Sequence, residues 1–199
     1  MNFAVFFQKY GKHASVGILS KLYKKFFLRS NNAILKYLRD AGAVIGEGTT
    51  IQNVNILGSE PWMVEIGKNT YFSGVETKIF THDGGIERLY YMGIAPERYD
   101  YFGRVRIGDN CFIGHNCIIM KHVTIGDNCV IGAGSIATKS IPSNCVACGV
   151  PAQVICSVAE YFEKNKQNFE PIICNVYQKR IYNENHSEQY EKIRKGKEL

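Results

Sequence analysis

The chain has 199 residues, of which 45% are hydrophobic and 21% are charged, and its formal net charge is +6. This length favours one domain with appendages over two independent cores, and the charge is too small to predict a nucleic-acid-binding protein. Apolar runs fall short of the roughly 20 residues that a membrane-spanning helix needs. The first residues also lack the features of a secretory signal, so we expect a cytoplasmic protein.

Residues 14–40 have the pattern of an amphipathic helix, with apolar side chains on one side and basic side chains on the other. We interpret residues 1–42 as a helical cap, because the open end of a repeat array exposes unpaired hydrogen-bonding edges. A basic amphipathic helix is also typical of proteins that lie on an anionic membrane. Peripheral membrane contact therefore stays an alternative.

An aliphatic residue returns at every sixth position from Ile107 onward, and a small or β-branched residue follows it four places later. A flat strand would put Ile107, Asp109 and Cys111 on one face and would bury the acid, which is costly. If the chain bends at Gly-Asp-Asn instead, each hexad is a short strand plus a corner, and three hexads close one coil. Hexapeptide periodicity is typical of a parallel β-helix, an all-β solenoid.

Looser hexads extend this frame, so that the β-helix is predicted over residues 43–154 in roughly five coils. The frame breaks around residues 58–62 and disappears in an excursion at residues 83–104. The excursion is rich in aromatic residues, which predicts packing on a ligand or on a neighbouring subunit. Residues 155–199 are predicted to form a C-terminal helix and a polar tail.

The seven cysteines are predicted to be reduced structural thiols. Three of them, Cys111, Cys117 and Cys129, occupy the small-residue position of the hexads, and we expect a protein that is not exported. Cys145 and Cys148 form a close pair, but a zinc site would need a second pair or histidines at ligand spacing. We therefore expect no metal site.

The segment from Val105 to Ile155 resembles the hexapeptide-repeat acyltransferases of the maltose, galactoside, serine and capsular-sugar O-acetyltransferase group. The resemblance rests on the glycine corners, the GAGS turn, the Thr138-Lys139 pair and the GVPA loop, which follow in that order. It implies a left-handed β-helix, a homotrimer, and transfer of an acetyl group from acetyl-CoA at sites between adjacent subunits. It implies no metal requirement.

Enzymes of this group carry a catalytic histidine directly before the excursion, a position that His82 occupies here. A neutral imidazole can remove the proton of a hydroxyl while that hydroxyl attacks a thioester. Asp83 is a candidate for orienting the ring or for binding the acceptor, and Glu76 is a comparable candidate for orienting it. Asn53 resembles an acceptor-binding asparagine of the group, although a purely structural corner asparagine is an equal alternative.

The resemblance also implies a set of contacts to CoA. His115 corresponds to a position near the thiol end, and Gly149, Pro151 and Ala152 belong to the loop that flanks the pantetheine arm. The remaining predicted contacts are Ala133, Thr138 and Lys139. The sequence departs from the pattern at three places. Phe112 stands where many relatives have tryptophan, and Lys121-His122 replaces a Pro-Gly corner. Some relatives have basic residues at the positions of Gln153 and Cys156.

The preferred hypothesis is an acetyl-CoA-dependent O-acetyltransferase that acts on a hydroxyl of a sugar or saccharide precursor. The motif His82-Asp-Gly-Gly85 most resembles surface-polysaccharide enzymes. The alternatives are an antibiotic acetyltransferase and an amino-sugar N-acetyltransferase. Remoter alternatives are a non-catalytic scaffold and a zinc lyase of the carbonic anhydrase type, whose local motif His115 and His122 do not reproduce.

Overall fold

The computed structural model describes residues 30–168, except residues 54 and 75. These residues fall into two compact units, separated between Ala159 and Glu160. The α-helices are α1 (Asn31–Asp40), α2 (Arg88–Tyr91) and α3 (Val158–Asn165), and 3₁₀ turns span Pro61–Met63 and Lys166–Asn168. Within the described range, no helix is both long and apolar enough to cross a bilayer. The predicted helical residues 14–29 and the predicted tail lie outside the described residues.

The strands are short and belong to three sheets. In chain order they are β1 (Val44–Ile45), β2 (Val64–Ile66), β3 (Tyr71–Phe72), β4 (Lys78–Ile79), β5 (Val105–Ile107), β6 (Phe112–Ile113), β7 (Ile118–Ile119), β8 (Thr124–Ile125), β9 (Val130–Ile131), β10 (Ile136–Ala137), β11 (Cys145–Gly149) and β12 (Ala152–Ser157). Sheet 1 has the order β1-β2-β5-β8, sheet 2 has β3-β6-β9-β11-β12, and sheet 3 has β4-β7-β10.

From β2 to β10, successive strands enter sheets 1, 2 and 3 in rotation, which is the arrangement of a parallel β-helix. Neighbouring strands in each sheet are parallel, with the exception of β12, which runs antiparallel to β11. The last residues of the predicted helix therefore form a hairpin arm and not a further coil. We name the corners in chain order: the first joins sheets 1 and 2, the second joins sheets 2 and 3, and the third joins sheets 3 and 1.

The core of the first unit is the column of aliphatic side chains inside the coils. Ile107 pairs with Ile125, and Ile113 pairs with Ile131, so that residues three hexads apart stack directly. The five isoleucines of the repeat are at most 3% exposed. The predicted hexad frame is thus confirmed for this segment.

Where the small-residue position of a hexad holds threonine or cysteine, its side chain also donates a hydrogen bond. Thr70 Oγ1 donates to the carbonyl oxygen of Gly108 at 2.8 Å, and Cys111 Sγ donates to that of Gly126 at 3.1 Å. The thiols are therefore donors to the next coil as well as compact fillers, a role that the sequence interpretation did not include. The described cysteines are all free, and burial raises the pKa of the Cys111 thiol to about 11.

Stacked asparagines close the first corner. Asn110 and Asn128 have φ values of 55° and 56°, in the left-handed region that asparagine tolerates well. The Asn110 amide donates to Asn128 Oδ1 at 3.1 Å, and the Asn128 amide donates to Asn144 Oδ1 at 2.9 Å. The polar groups of this corner are thus used for hydrogen bonds between coils.

Helix α1 packs on the first coil. Leu38 is 1% exposed and belongs to the same core cluster as the repeat isoleucines. Asn31 accepts a hydrogen bond from Ile51 N at 2.8 Å and donates to Thr49 O at 3.1 Å, which pairs two backbone groups of that coil. The role of residues 1–42 as a cap stays a prediction, since residues 1–29 are not described.

Replacing Ile119 by alanine should lower the free energy of unfolding by about 2–5 kcal/mol, because this fully buried side chain fills the middle of the column. Ile94→Ala is the matched control, since Ile94 is 70% exposed, and it should cost less than about 0.5 kcal/mol. Chemical denaturation of both variants measures the difference. Equal losses would contradict a core inside the coils.

Thiol labelling should separate the exposed Cys148 from the buried thiols. Alkylation requires the thiolate and access to it, and burial raises the pKa values of Cys111, Cys117 and Cys129. At about pH 8, peptide mass spectrometry should find the label on Cys148 first, and on the three buried cysteines only after denaturant is added. Early labelling of Cys111 would show that the coils open readily.

Candidate functional site

The chain leaves the coil at His82, at the third corner directly after β4, and returns beside it. Residues 81–83 run antiparallel to residues 101–103, with His82 bridged to Phe102, and we call this paired segment the neck. On either side of His82 an amide donates across the neck to a carbonyl oxygen, at 3.0 Å and at 2.7 Å. The backbone of the histidine is therefore held from both directions.

Glu60 is the partner of the His82 imidazole. Its Oε2 lies 2.9 Å from His82 Nδ1 and accepts a 2.5 Å hydrogen bond from Thr81 Oγ1. Leu57 is bridged in parallel to Ile79 of β4. Glu60 follows Leu57 by three positions, as His82 follows Ile79. Glu60 thus occupies the same corner position as His82, one coil earlier. The glutamate side chain is 12% exposed, whereas that of the histidine is 43% exposed.

The charge of Glu60 determines the tautomer of the imidazole. Burial by itself would raise the pKa of Glu60, but hydrogen bonds from Thr81, His82 and Ser59 outweigh burial and hold the pKa below its ordinary value. An ionised carboxylate can only accept hydrogen bonds, so Nδ1 carries the proton. Nε2 of the neutral ring then has a free lone pair, and the exposed ring can act as a general base.

A second group of predicted residues lies at the second corner. His115 Nδ1 lies 3.3 Å from Ser73 O, and His115 O accepts a hydrogen bond from Gly134 N at 2.7 Å. Ala133 lies one coil further, packed so closely that a Cβ at Gly114 would come within 2.5 Å of Ala133 N. This corner therefore stacks backbone against backbone and leaves His115 and Ala133 exposed.

The β11–β12 turn continues this corner. Gly149 has a φ of 102°, which favours glycine, and its amide donates to Ser135 Oγ at 3.2 Å. Pro151 lies in the exposed turn, and Ala152 is buried at the start of β12. These three residues, all predicted to contact acetyl-CoA, are thus adjacent to the stack that holds His115 and Ala133.

Thr138 and Lys139 are exposed and follow β10 at the third corner. They share that corner with His82, since β4, β7 and β10 are neighbours in sheet 3. The structure thus divides the predicted site residues into two groups. The third corner holds His82, Thr138 and Lys139. The other residues predicted to contact acetyl-CoA lie at or beside the second corner, on the opposite side of sheet 3.

The two predicted acceptor-binding residues are both hydrogen-bonded within the chain. Asn53 lies at the second corner of the first coil, where its Oδ1 accepts a hydrogen bond from Asn55 N at 2.8 Å. Asp83 Oδ2 lies 3.0 Å from Lys121 Nζ, and Asp83 Oδ1 accepts from Gly85 N at 2.9 Å. The hydrogen bond from Lys121, followed by that from Gly85, lowers the pKa of the Asp83 carboxyl. Both acceptor-binding roles stay predictions.

Comparison with known proteins identifies the family. Residues 104–139 match the model described as bacterial transferase hexapeptide (six repeats). Protein CapG of Staphylococcus aureus is 41% identical over 165 residues, which are 80% of this chain and 93% of that protein. A putative acetyltransferase of Staphylococcus aureus strain Mu50 is 32% identical over 148 residues, 62% of this chain and 72% of that protein. The chain belongs to the hexapeptide-repeat acetyltransferase family.

A solved structure agrees with this assignment. The maltose O-acetyltransferase of Clostridium difficile 630 has 29% sequence identity and a TM-score of 0.53, and the match covers 71% of this chain and 83% of that one. The resemblance inferred from the corners and loops of the sequence is confirmed, as is the prediction that the chain is an acetyltransferase.

The described residues show neither a further cluster of predicted site residues nor a metal-binding group. A depression of about 380 Å³ on sheet 1 is lined by residues such as Val44, Glu65 and Thr124, and it contains none of the predicted site residues. Across residues 30–168, apart from the two gaps, no three His, Cys, Asp or Glu side chains form a group able to hold a metal ion.

Sequence reasoning missed Glu60. It lies in residues 58–62, where the hexad frame breaks, so the six-residue period could not predict which residues of the neighbouring coil it contacts. The available signal was its distance from the last residue in frame: Glu60 follows Leu57 by three positions, as His82 follows Ile79. An acidic residue and a histidine at equivalent positions of successive coils predict a contact.

Glu60→Gln should make the free energy of unfolding less dependent on pH in the acidic range. Since folding lowers the pKa of Glu60, its ionised form stabilises the native state fully above its ordinary pKa of 4.5, and this contribution disappears as the pH falls through the lower folded value. The difference in unfolding free energy between wild type and Glu60→Gln should therefore shrink as the pH falls below 4.5. Glu47→Gln, at an exposed corner, is the control. A constant difference would contradict an ionised Glu60 carboxylate that accepts hydrogen bonds from Thr81 and His82.

Proposed function

We propose that this chain transfers the acetyl group of acetyl-CoA to a hydroxyl of a sugar or saccharide precursor during the synthesis of a surface polysaccharide. The similarity to a maltose O-acetyltransferase supports a sugar acceptor. The motif from His82 to Gly85, which resembles that of surface-polysaccharide enzymes, supports the setting. We expect the enzyme to act in the cytoplasm.

The pair formed by Glu60 and His82 carries this proposal. His82 Nε2 takes the proton of the acceptor hydroxyl while the hydroxyl oxygen bonds to the thioester carbonyl carbon. Glu60, 2.9 Å from Nδ1, stabilises the imidazolium that forms. His82 then returns the proton to the sulfur as the carbon–sulfur bond breaks. The products are an acetyl ester and CoA with a free thiol, and no metal takes part in these steps.

The donor is proposed to bind at the second corner and the adjacent turn. His115, Ala133 and Gly149 are exposed there, which suits a narrow pantetheine arm, and Pro151 and Ala152 form the flanking loop. Thr138 and Lys139 are exposed at the third corner. The Lys139 ammonium is suited to a phosphate of CoA, since charge-assisted hydrogen bonds to phosphate are strong.

We propose that the coil is left-handed and that the enzyme is a homotrimer with sites between subunits. The division of the predicted residues between two corners supports this arrangement. A site that takes the third corner of one subunit and the second corner of its neighbour would bring the base and the donor contacts together. In the proposed organisation, residues 1–42 form the cap, residues 43–154 the catalytic β-helix and residues 155–199 a C-terminal helix and tail.

His82→Ala should lower turnover by about 10²- to 10⁴-fold, the usual contribution of a general base, and should leave acetyl-CoA binding intact. The assay is thiol release from acetyl-CoA with free sugars, nucleotide sugars, amino sugars and hydroxylated antibiotics as acceptors. Glu60→Gln should reduce turnover less, because it keeps an acceptor for Nδ1 and removes only the charge.

The same panel separates the alternatives. Acetylation of amino sugars or antibiotics alone would replace the proposed acceptor class. Absence of acetyl-CoA binding in calorimetry would favour a scaffold. Unchanged turnover in His82→Ala would remove the histidine from the mechanism, whatever the acceptor.

A further inference from the structure

The third corner of the coil that follows the neck departs from the repeat. Asn110, Asn116 and Asn128 occupy the last corner position of their hexads with positive φ, and His122 occupies the same position with a φ of 65°. A histidine in the left-handed region is uncommon and calls for a compensating contact. Lys121 precedes it, where the neighbouring hexads have Asp109, His115 and Asp127.

Lys121 contacts both strands of the neck. Its Nζ lies 3.0 Å from Asp83 Oδ2, on the outgoing strand, and 4.4 Å from the ring centroid of Tyr101, on the returning strand. Asp83 N also donates to Tyr101 O at 3.0 Å, so the two contacted residues are paired with each other. One ammonium group therefore joins the two strands next to His82 through an ion pair and a cation–π contact.

His122 supports the neck from the same corner. Its ring centroid lies 5.2 Å from that of Tyr101, and its backbone amide donates to Arg104 O at 3.0 Å. The ring lies against Gly103, where a Cβ would come within 2.6 Å of the imidazole. Any residue with a side chain at position 103 would therefore displace the histidine or lift the neck.

The contacts of the Lys121 side chain are with the neck, which leaves its ammonium group little capacity to bind a ligand. Its side chain is 11% exposed, and a nearly buried ammonium needs compensating contacts, which Asp83 and Tyr101 provide. Lys139, the residue at the same place in the next coil, is exposed. The two lysines thus have different environments although they share a corner.

We propose that Lys121 and His122 form a clamp that holds the neck and so positions His82 for proton transfer. Lys121 acts through Asp83 and Tyr101, which makes it a positioning residue, and the clamp gives Asp83 a structural role in place of the predicted contact with the acceptor. This assignment rests on the proposed function, since it takes His82 as the base. A misplacement of about 1 Å can cost about a hundredfold in rate, so holding the histidine backbone affects the catalytic step directly.

The test is a double-mutant cycle of Lys121→Met and Asp83→Asn in the full-length enzyme. Each single variant should lower kcat about tenfold to a hundredfold and leave the KM values for acetyl-CoA and for the sugar acceptor within about twofold. The double variant should be no worse than the poorer single variant, because both changes break one contact. Asp83→Asn nearly preserves shape at a side chain that is 46% exposed, so it keeps the test valid if Lys121→Met folds poorly.

Lys36→Met is the matched control, because it breaks another lysine–aspartate pair of 3.0 Å, on helix α1. It should leave kcat and both KM values unchanged. A rise in acceptor KM at constant kcat in the Lys121 or Asp83 variants would place these residues in acceptor contact and overturn the clamp. Independent, multiplying losses in the double variant would also overturn it.

Amide hydrogen exchange separates failure of the clamp from failure of the proposed function. The neck amides of Asp83 and Gly103 should exchange faster in Lys121→Met and at the wild-type rate in Lys36→Met, and this readout does not depend on turnover. If wild type acetylates no acceptor, the proposed function fails, and faster neck exchange still supports the clamp. Unchanged neck exchange would overturn the clamp even in an active enzyme.

Discussion

The stack of aliphatic side chains inside the coils is the constraint on which the rest of the structure depends. Each buried isoleucine contributes on the order of 1.5–3 kcal/mol through removal from water, but only if its strand lies directly over the strand of the previous coil. The hydrogen bonds from the threonine and cysteine positions to the next coil reinforce the same register. Every corner residue is thereby fixed at a defined level of the stack.

The three corners use this fixed geometry differently. The first corner uses its asparagine and aspartate side chains for hydrogen bonds between coils, which leaves little polar capacity for a ligand. The second corner packs backbone on backbone and exposes a histidine. The third corner accommodates the excursion, whose two ends pair with each other before the coil resumes. A repetitive fold therefore gains a non-repetitive site without disturbing its core.

The candidate site of this acetyltransferase is preorganised by contacts of different kinds. The His82 ring is oriented by a carboxylate from the previous coil, whereas its backbone is held by the neck and, beneath the neck, by an ammonium and an imidazole from the following coil. The histidine thus lies between two coils whose spacing the core determines. Preorganised groups of this kind need no rearrangement at the moment of proton transfer.

The sequence by itself determined the period, the buried isoleucines, the family and the position of the candidate base, because hexads that repeat without gaps carry their own register. Only the tertiary structure decided the contact of His82 with Glu60 and that of Asp83 with Lys121, which join residues 22 and 38 positions apart. Both contacts span segments in which the hexad frame is interrupted, residues 58–62 and 83–104. A period predicts which residues stack only while it continues, and the path of an irregular segment depends on its packing against the coils.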